Sequence, residues 1–168
     1  MWPMPIEFDS LWSHVISSWE APPWHTVHGP DHWRRVERNG ILLATRTGAD
    51  LEVVRLFALF HDSRRENDNF DPEHGLRGGI HAEQLCGSVY EISDTQLALL
   101  KFACIHHADG LTHEDPTIGS CWDADRLDLG RVGVIPSPFY MSTAFGKEIA
   151  EFGSIYPFAQ AAGLLPGQ

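Results

Sequence analysis

The residues best suited to chemistry are His61 and Asp62, side by side at the end of an apolar run. Val53, Val54, Leu56, Phe57, Ala58, Leu59 and Phe60 lead into them within the stretch DLEVVRLFALFHDSRRE, residues 50–66. That run predicts a helix with one face, or nearly all of its surface, in a core and Asp50 as its N-cap. A buried imidazole and carboxylate at its end need partners, because an unsatisfied polar group away from water is costly. A divalent metal ion is one such partner, since it takes both nitrogen and carboxylate oxygen ligands. A helix-end cap with a hydrogen-bonded histidine is the other reading of the pair taken alone. Two further segments offer ligands at helix ends: His32 in a first turn, and Asp125 within WDADRLD. Convergence from separate helices is how bundle cores build metal sites. Two imidazoles and two carboxylates suit Mn, Fe, Co, Ni, Zn or Mg.

The elements that must position these residues are helical. A first helix is expected from about Asp9 to Glu20, with Leu11, Trp12, Val15, Ile16 and Trp19 on its apolar side, stopped by Ala21-Pro22-Pro23. Asp31 begins a second that turns Val36, Leu43 and Ala44 inward and closes at Gly48. The His61-Asp62 helix follows. ENDNFDPEHGLRGG reads as a polar, glycine-rich loop over its end. A helix is expected over Ile80 to Val89, and another over Thr95 to His107 capped by Ser93 or Asp94. The loop ADGLTHEDPTIGS then leads into a short helix in CWDADRLDLGRVG. A last helix fits Thr143 to Glu151, and the tail from Tyr156 shows no pattern. No alternating strand stands out, so the predicted class is all-α.

At 168 residues the chain is expected to form a single domain over 1–168, large enough to bury a core unaided. Its net charge of −11 disfavours duplex nucleic acid and anionic membranes, so an anionic substrate requires a locally positive site. Cys86, Cys104 and Cys121 have neither zinc-site nor disulfide spacing. With no signal-peptide pattern and no bilayer-length apolar run, the expectation is a cytoplasmic protein. Trp2, Phe8 and Trp12 make an aromatic N-terminal segment that can pack on its own domain or on a second subunit of a homodimer.

The order His32, His61-Asp62, Asp125 resembles the HD-domain superfamily of metal-dependent phosphohydrolases. HWRRV, LFALFHD and ADRL carry the resemblance, which covers roughly residues 28 to 130. It implies an HD-type helical bundle with the metal site at convergent helix ends. His32, His61, Asp62 and Asp125 (rather than Asp123) would be ligands. HGLRGG further resembles the H-G-x-x-G-A stretch of bimetallic members, and CIHHADG their H-T-x-G. By that resemblance His74 and His107 bind a second ion, bridged to the first by Asp62, giving one or two ions per chain. The sequence departs from the mononuclear branches at Arg65, where those proteins carry a glutamate, and from the cyclic-dinucleotide branch by lacking GYP.

Around these residues, Arg64, Arg65 and Arg77 are expected to hold phosphate oxygens, with Asp62 as the catalytic carboxylate. His28, His106, Asp123 and Arg126 are expected to support the ligands from behind, and Asp123 or Asp128 to orient imidazoles or pair with Arg126 and Arg131. His81 competes with His74 for the second ion and otherwise belongs, with Glu83, to a solvent face or rim. Cys104, Cys121, Trp33 and Trp122 read as core. The function the resemblance implies is hydrolysis of a small phosphorylated molecule, a nucleotide first. An HD-fold di-iron oxygenase and a non-catalytic metal- or nucleotide-binding module are the alternatives.

Overall fold

In the computed structural model, which describes residues 4–166, the chain is all-α. The helices are α1 (Phe8–Ser17), α2 (Pro30–Thr47), α3 (Leu51–Phe60), α4 (His74–Leu85), α5 (Asp94–His106), α6 (Pro116–Arg126), α7 (Ala144–Phe152) and α8 (Tyr156–Ala161). The described residues contain no strand, only an isolated bridge between Cys86 and Tyr90. No helix of the described residues is long and apolar enough to cross a membrane.

Helix α3 is the axis of the fold. Asp50 caps it as expected, accepting from the backbone N–H groups of Glu52 and Val53. Seven of its ten residues are buried, from Val53 to Phe60. It packs against α2, α4, α5 and α6, so the apolar run that lacks a polar face finds helices on every side. One hydrophobic cluster joins residues of α1 through α8 to it. Helices α2 and α4 begin, and α3, α5 and α6 end, at one end of this bundle. His32, His74, His61, His107 and Asp125 stand at those termini.

Several boundaries differ from the expected ones. Helix α4 starts at His74 rather than Ile80, because the glycines of HGLRGG are packing residues and not loop punctuation. A Cβ at Gly75 would fall on the Cys104 carbonyl, and one at Gly78 on the Phe60 carbonyl. Only glycine lets α4 lie this close to α5 and to the end of α3. Helix α6 likewise starts at Pro116 rather than Cys121. Proline suits the first helical position, and Asp115 caps it by accepting from Thr117 N at 2.8 Å and Ile118 N at 3.0 Å. Helix α1 stops at Ser17, and Ile16 is exposed rather than inward. The tail forms α8, which contributes Ala159 to the core.

The aromatic N-terminal segment packs on its own chain. Trp12 is buried with its ring 6.3 Å from that of Trp33, and the Arg34 guanidinium lies 3.5 Å from the Trp12 ring centroid. The Arg55 guanidinium covers Phe8 at 3.6 Å. Trp2 lies outside the described residues.

Candidate metal centre

Four histidines converge in a common orientation. His32 donates from Nδ1 to Asp128 Oδ2 at 2.7 Å. His61 Nδ1 faces the Phe57 and Ala58 carbonyls at 3.1 and 3.0 Å, and His107 Nδ1 donates to the Cys104 carbonyl at 2.7 Å. His74 Nδ1 donates to the Asp71 carbonyl. Each Nδ1 is thus committed as a donor to an oxygen, which leaves each Nε2 as the nitrogen that offers a lone pair. The backbone supplies the acceptor for three of these four histidines. His61 and His107 reach back to carbonyls in the last turn of α3 and of α5, whereas His74, at the start of α4, reaches the carbonyl of Asp71 in the loop before it.

The Nε2 atoms meet in two pairs: His32 with His61 at 3.1 Å, and His74 with His107 at 2.9 Å. Asp62 lies between the pairs, almost fully buried. Its Oδ2 is 3.6 Å from both His32 Nε2 and His61 Nε2. Its Oδ1 is 3.3 Å from His74 Nε2 and 3.6 Å from His107 Nε2. Asp125 Oδ1 joins the first pair, 3.2 Å from His32 Nε2 and 3.8 Å from His61 Nε2. Asp62 Oδ1 and Asp125 Oδ1 are buried without a hydrogen-bond partner among the described residues.

This donor set fits divalent ions. Donors held about 2.0–2.2 Å from one ion lie roughly 3.0–3.6 Å from each other, close to the separations found here. His32, His61 and Asp62 can hold one ion, with Asp125 Oδ1 beside both imidazoles, and Asp62, His74 and His107 can hold another; Asp125 also groups with His61 and His107. The two orphaned carboxylate oxygens carry the fit. Each faces imidazole nitrogens and an arginine 3.8 Å away, beyond hydrogen-bond reach, so a cation between the imidazoles would supply the close partner that each oxygen lacks.

Titration of the cluster follows the same pairing. Burial disfavours charge on every member, and its neighbours decide the outcome. His61, fully buried, is pushed down to about 3. His74 is also lowered, by burial and then by the charge of His107. For His32 and His107 burial acts in the same direction, but Asp125 and Asp128 outweigh it at His32, and Asp62 and Asp125 at His107, so both are raised. One imidazole of each pair therefore holds a proton more readily than its partner. Asp62 and Asp125 stay well below the usual carboxylate range despite burial, held there by the surrounding imidazoles.

The expected supporting residues divide sharply. His28, in the loop before α2, donates from Nδ1 to Asp62 Oδ2 at 3.2 Å. Asp128, three residues beyond Asp125, orients His32 and is itself held by Arg35 Nε at 2.8 Å. His106 is not at the site: it lies at the surface beside Asp109. Asp123 orients no imidazole. Buried, it accepts from Ser142 N, Thr143 N and Thr143 Oγ1 at 2.7, 2.8 and 2.7 Å, which ties the segment before α7 to α6. Arg126 likewise serves the scaffold, donating to the carbonyls of Gly110, Leu111 and Tyr140.

Of the three arginines expected to bind phosphate, only Arg65 reaches the centre, with Nη1 3.2 Å from His74 Nε2. Arg64 donates to His81 Nε2 at 3.0 Å and to Ser18. Arg77 is taken up by both oxygens of Asp71 at 2.7 and 2.6 Å. His81 is not on a solvent face but buried against Phe60, bonded to Ser63 and Arg64, and it does not join the cluster. Arg131 supplies the second cation. Its Nε and Nη1 donate to the Val27 and Asp128 carbonyls at 3.0 Å each, and Nη2 stands 3.8 Å from Asp125 Oδ1. The sequence signals for Arg35 and Arg131 were positional: each lies one helical turn from a residue that it serves, His32 or Asp128.

A cavity of about 340 Å³ opens over the donors, lined by His28, Asp62, Arg65, Phe70, His74, His107, Asp125 and Arg131 among others. Phe70, on the loop between α3 and α4, is 88% exposed at this cavity. No family model matches the chain, and neither a curated protein nor a solved structure matches it.

Proposed function

We propose that this chain is a metal-dependent phosphohydrolase of HD-domain type, acting on an ester or anhydride of a small phosphorylated molecule, a nucleotide first among them. The observation that carries the reading is the pairing of the orphaned Asp62 and Asp125 oxygens with two arginines on the walls of one cavity. The carboxylates and imidazoles suit a divalent cation, and the arginines suit the anion that such a cation would polarise. A bound divalent ion supplies Lewis-acid polarisation of a phosphoryl oxygen and a more acidic water.

The remaining roles belong to the protein. Arg131 Nη2, which has no hydrogen-bonded oxygen among the described residues and stands 3.8 Å from Asp125 Oδ1, is the donor for a phosphate oxygen, and Arg65 flanks it across the cavity. His28 donates a hydrogen bond from Nδ1 to Asp62 at the cavity wall, which leaves its Nε2 to face substrate or water. Phe70 and Pro72 offer an apolar rim for the non-phosphate part of the substrate.

The test is turnover of purified protein loaded separately with Mn, Fe, Co, Ni, Zn or Mg. Nucleoside mono- and polyphosphates and dinucleotides are offered, with phosphate release and oxygen uptake both recorded. Hydrolysis that disappears in Asp125→Asn supports the reading. Iron-dependent oxygen uptake without hydrolysis would assign the site to an oxygenase. Tight nucleotide binding without turnover under any metal would make the chain a binding module.

A further inference from the structure

Besides the extra carboxylate of Asp125 in the first half, the two halves of the centre differ in the position of their arginines. At the first half, Arg131 approaches only the Asp125 carboxylate, and among the described residues the Nε2 atoms of His32 and His61 receive no arginine hydrogen bond. At the second half, Arg65 Nη1 donates to His74 Nε2 at 3.2 Å and lies 3.8 Å from Asp62 Oδ1. His74 Nδ1 is already committed to the Asp71 carbonyl, so Nε2 holds the ring's remaining lone pair. The guanidinium therefore takes up the His74 electron pair that a second ion would use. It also places a positive charge beside the oxygen that would bridge to that ion.

Arg65 is held there. Its Nε donates to the Asn67 carbonyl at 2.8 Å and its Nη2 to the Asn69 carbonyl at 2.9 Å. The loop that carries those carbonyls is itself pinned, since Asp71 accepts from Glu66 N at 2.9 Å and pairs with Arg77 through both oxygens. An ion entering between Asp62, His74 and His107 must break the hydrogen bond to His74 and move a guanidinium tethered at two other points. No such displacement is needed at His32, His61 and Asp125.

We propose that Arg65 is a built-in cation of the second half-site, a positioning residue that makes the two ion affinities unequal. The inference rests on the metal reading given above and adds to it an order of binding: the His32, His61, Asp62, Asp125 half fills first, and the second ion competes with Arg65. A residue that merely filled space would affect both halves or neither.

The experiment is a titration of metal-free protein with Zn²⁺ and, separately, Mn²⁺, followed by calorimetry and by metal content per chain. Wild type is compared with Arg65→Gln, Arg65→Lys and the double variant Arg65→Gln/His74→Ala. In wild type the second ion is expected to bind at least about tenfold more weakly than the first. In Arg65→Gln the second affinity rises by about tenfold or more while the first is unchanged, and Arg65→Lys lies between. The double variant loses the second ion and keeps the first. An unchanged first affinity also certifies the fold of each variant. Equal affinities in wild type, or the same gap in Arg65→Gln as in wild type, would overturn the proposal and leave the metal reading intact. No ion bound by any protein would instead remove the metal reading itself.

Discussion

His74 and His107 face each other Nε2 to Nε2 at 2.9 Å while each gives its Nδ1 proton to a backbone carbonyl. Two lone pairs at that distance repel unless a proton or a cation lies between them. His32 and His61 repeat the arrangement at 3.1 Å, with one Nδ1 on Asp128. The protein has built two places for positive charge and set the carboxylate of Asp62 between them.

This pairing makes ion binding pH-dependent. His32 and His107 are raised above the ordinary imidazole value and hold the shared protons, whereas His61, near 3, and His74 stay neutral. An ion must displace those protons, so its affinity falls as pH drops through the raised values of His32 and His107. Calorimetry in buffers of different ionisation enthalpy should show proton release per filled half-site rising toward one as the pH is lowered through the raised values of His32 and His107. An affinity flat across those values would refute the pairing.

Asp128 and Asp123 flank Asp125 with opposite duties. Asp128→Ala removes the acceptor that sets the tautomer of His32 and should weaken the first ion by about 10- to 100-fold, read by chelator competition. Asp123→Ala removes the acceptor of three hydrogen bonds and should cost about 2 kcal/mol or more of stability, read by denaturant unfolding. Its ion affinity should stay near wild type.

The glycines of α4 provide a contrast within one helix. In Gly78→Ala the new methyl meets the Phe60 carbonyl, backbone that cannot yield, and should destabilise by about 1–3 kcal/mol. In Gly79→Ala the methyl meets Ile105 Cγ1 and the Lys101 carbonyl at 3.5 Å, ordinary contact. The helical preference of alanine should then stabilise by up to about 1 kcal/mol. Thermal unfolding of the two variants, with transitions moving in opposite directions, is the check.

If the substrate enters as proposed, Phe70 and Arg131 should separate in steady-state kinetics. Phe70→Ala removes apolar contact made equally in ground and transition states, so KM rises severalfold with kcat nearly unchanged. Arg131→Ala removes a donor aimed at developing phosphoryl charge, so kcat falls by about 100-fold or more. Equal losses of kcat in the two variants would place Phe70 in the chemistry rather than at the rim.

The helical class, the capped and largely buried α3, and the metal-binding potential of His32, His61, Asp62 and Asp125 were all legible in the sequence. Each rests on local chemistry: apolar periodicity, a carboxylate at a helix start, ligand types at helix ends. The phosphohydrolase expectation came from resemblance and awaits the turnover experiment. Tertiary structure decided what depends on distant neighbours. Gly75 and Gly78 look like loop residues until the carbonyls of α5 and α3 press against them. Arg64, Arg65 and Arg77 look alike in sequence, yet Ser18, His74 and Asp71 claim one each. Asp123 and Asp128 are equally acidic neighbours of Asp125, but Asp123 lies within α6 and turns to Thr143, whereas Asp128 lies past the end of α6 and reaches His32. A side chain's type states which bonds it can make. Only the packed chain settles which partner stands within reach.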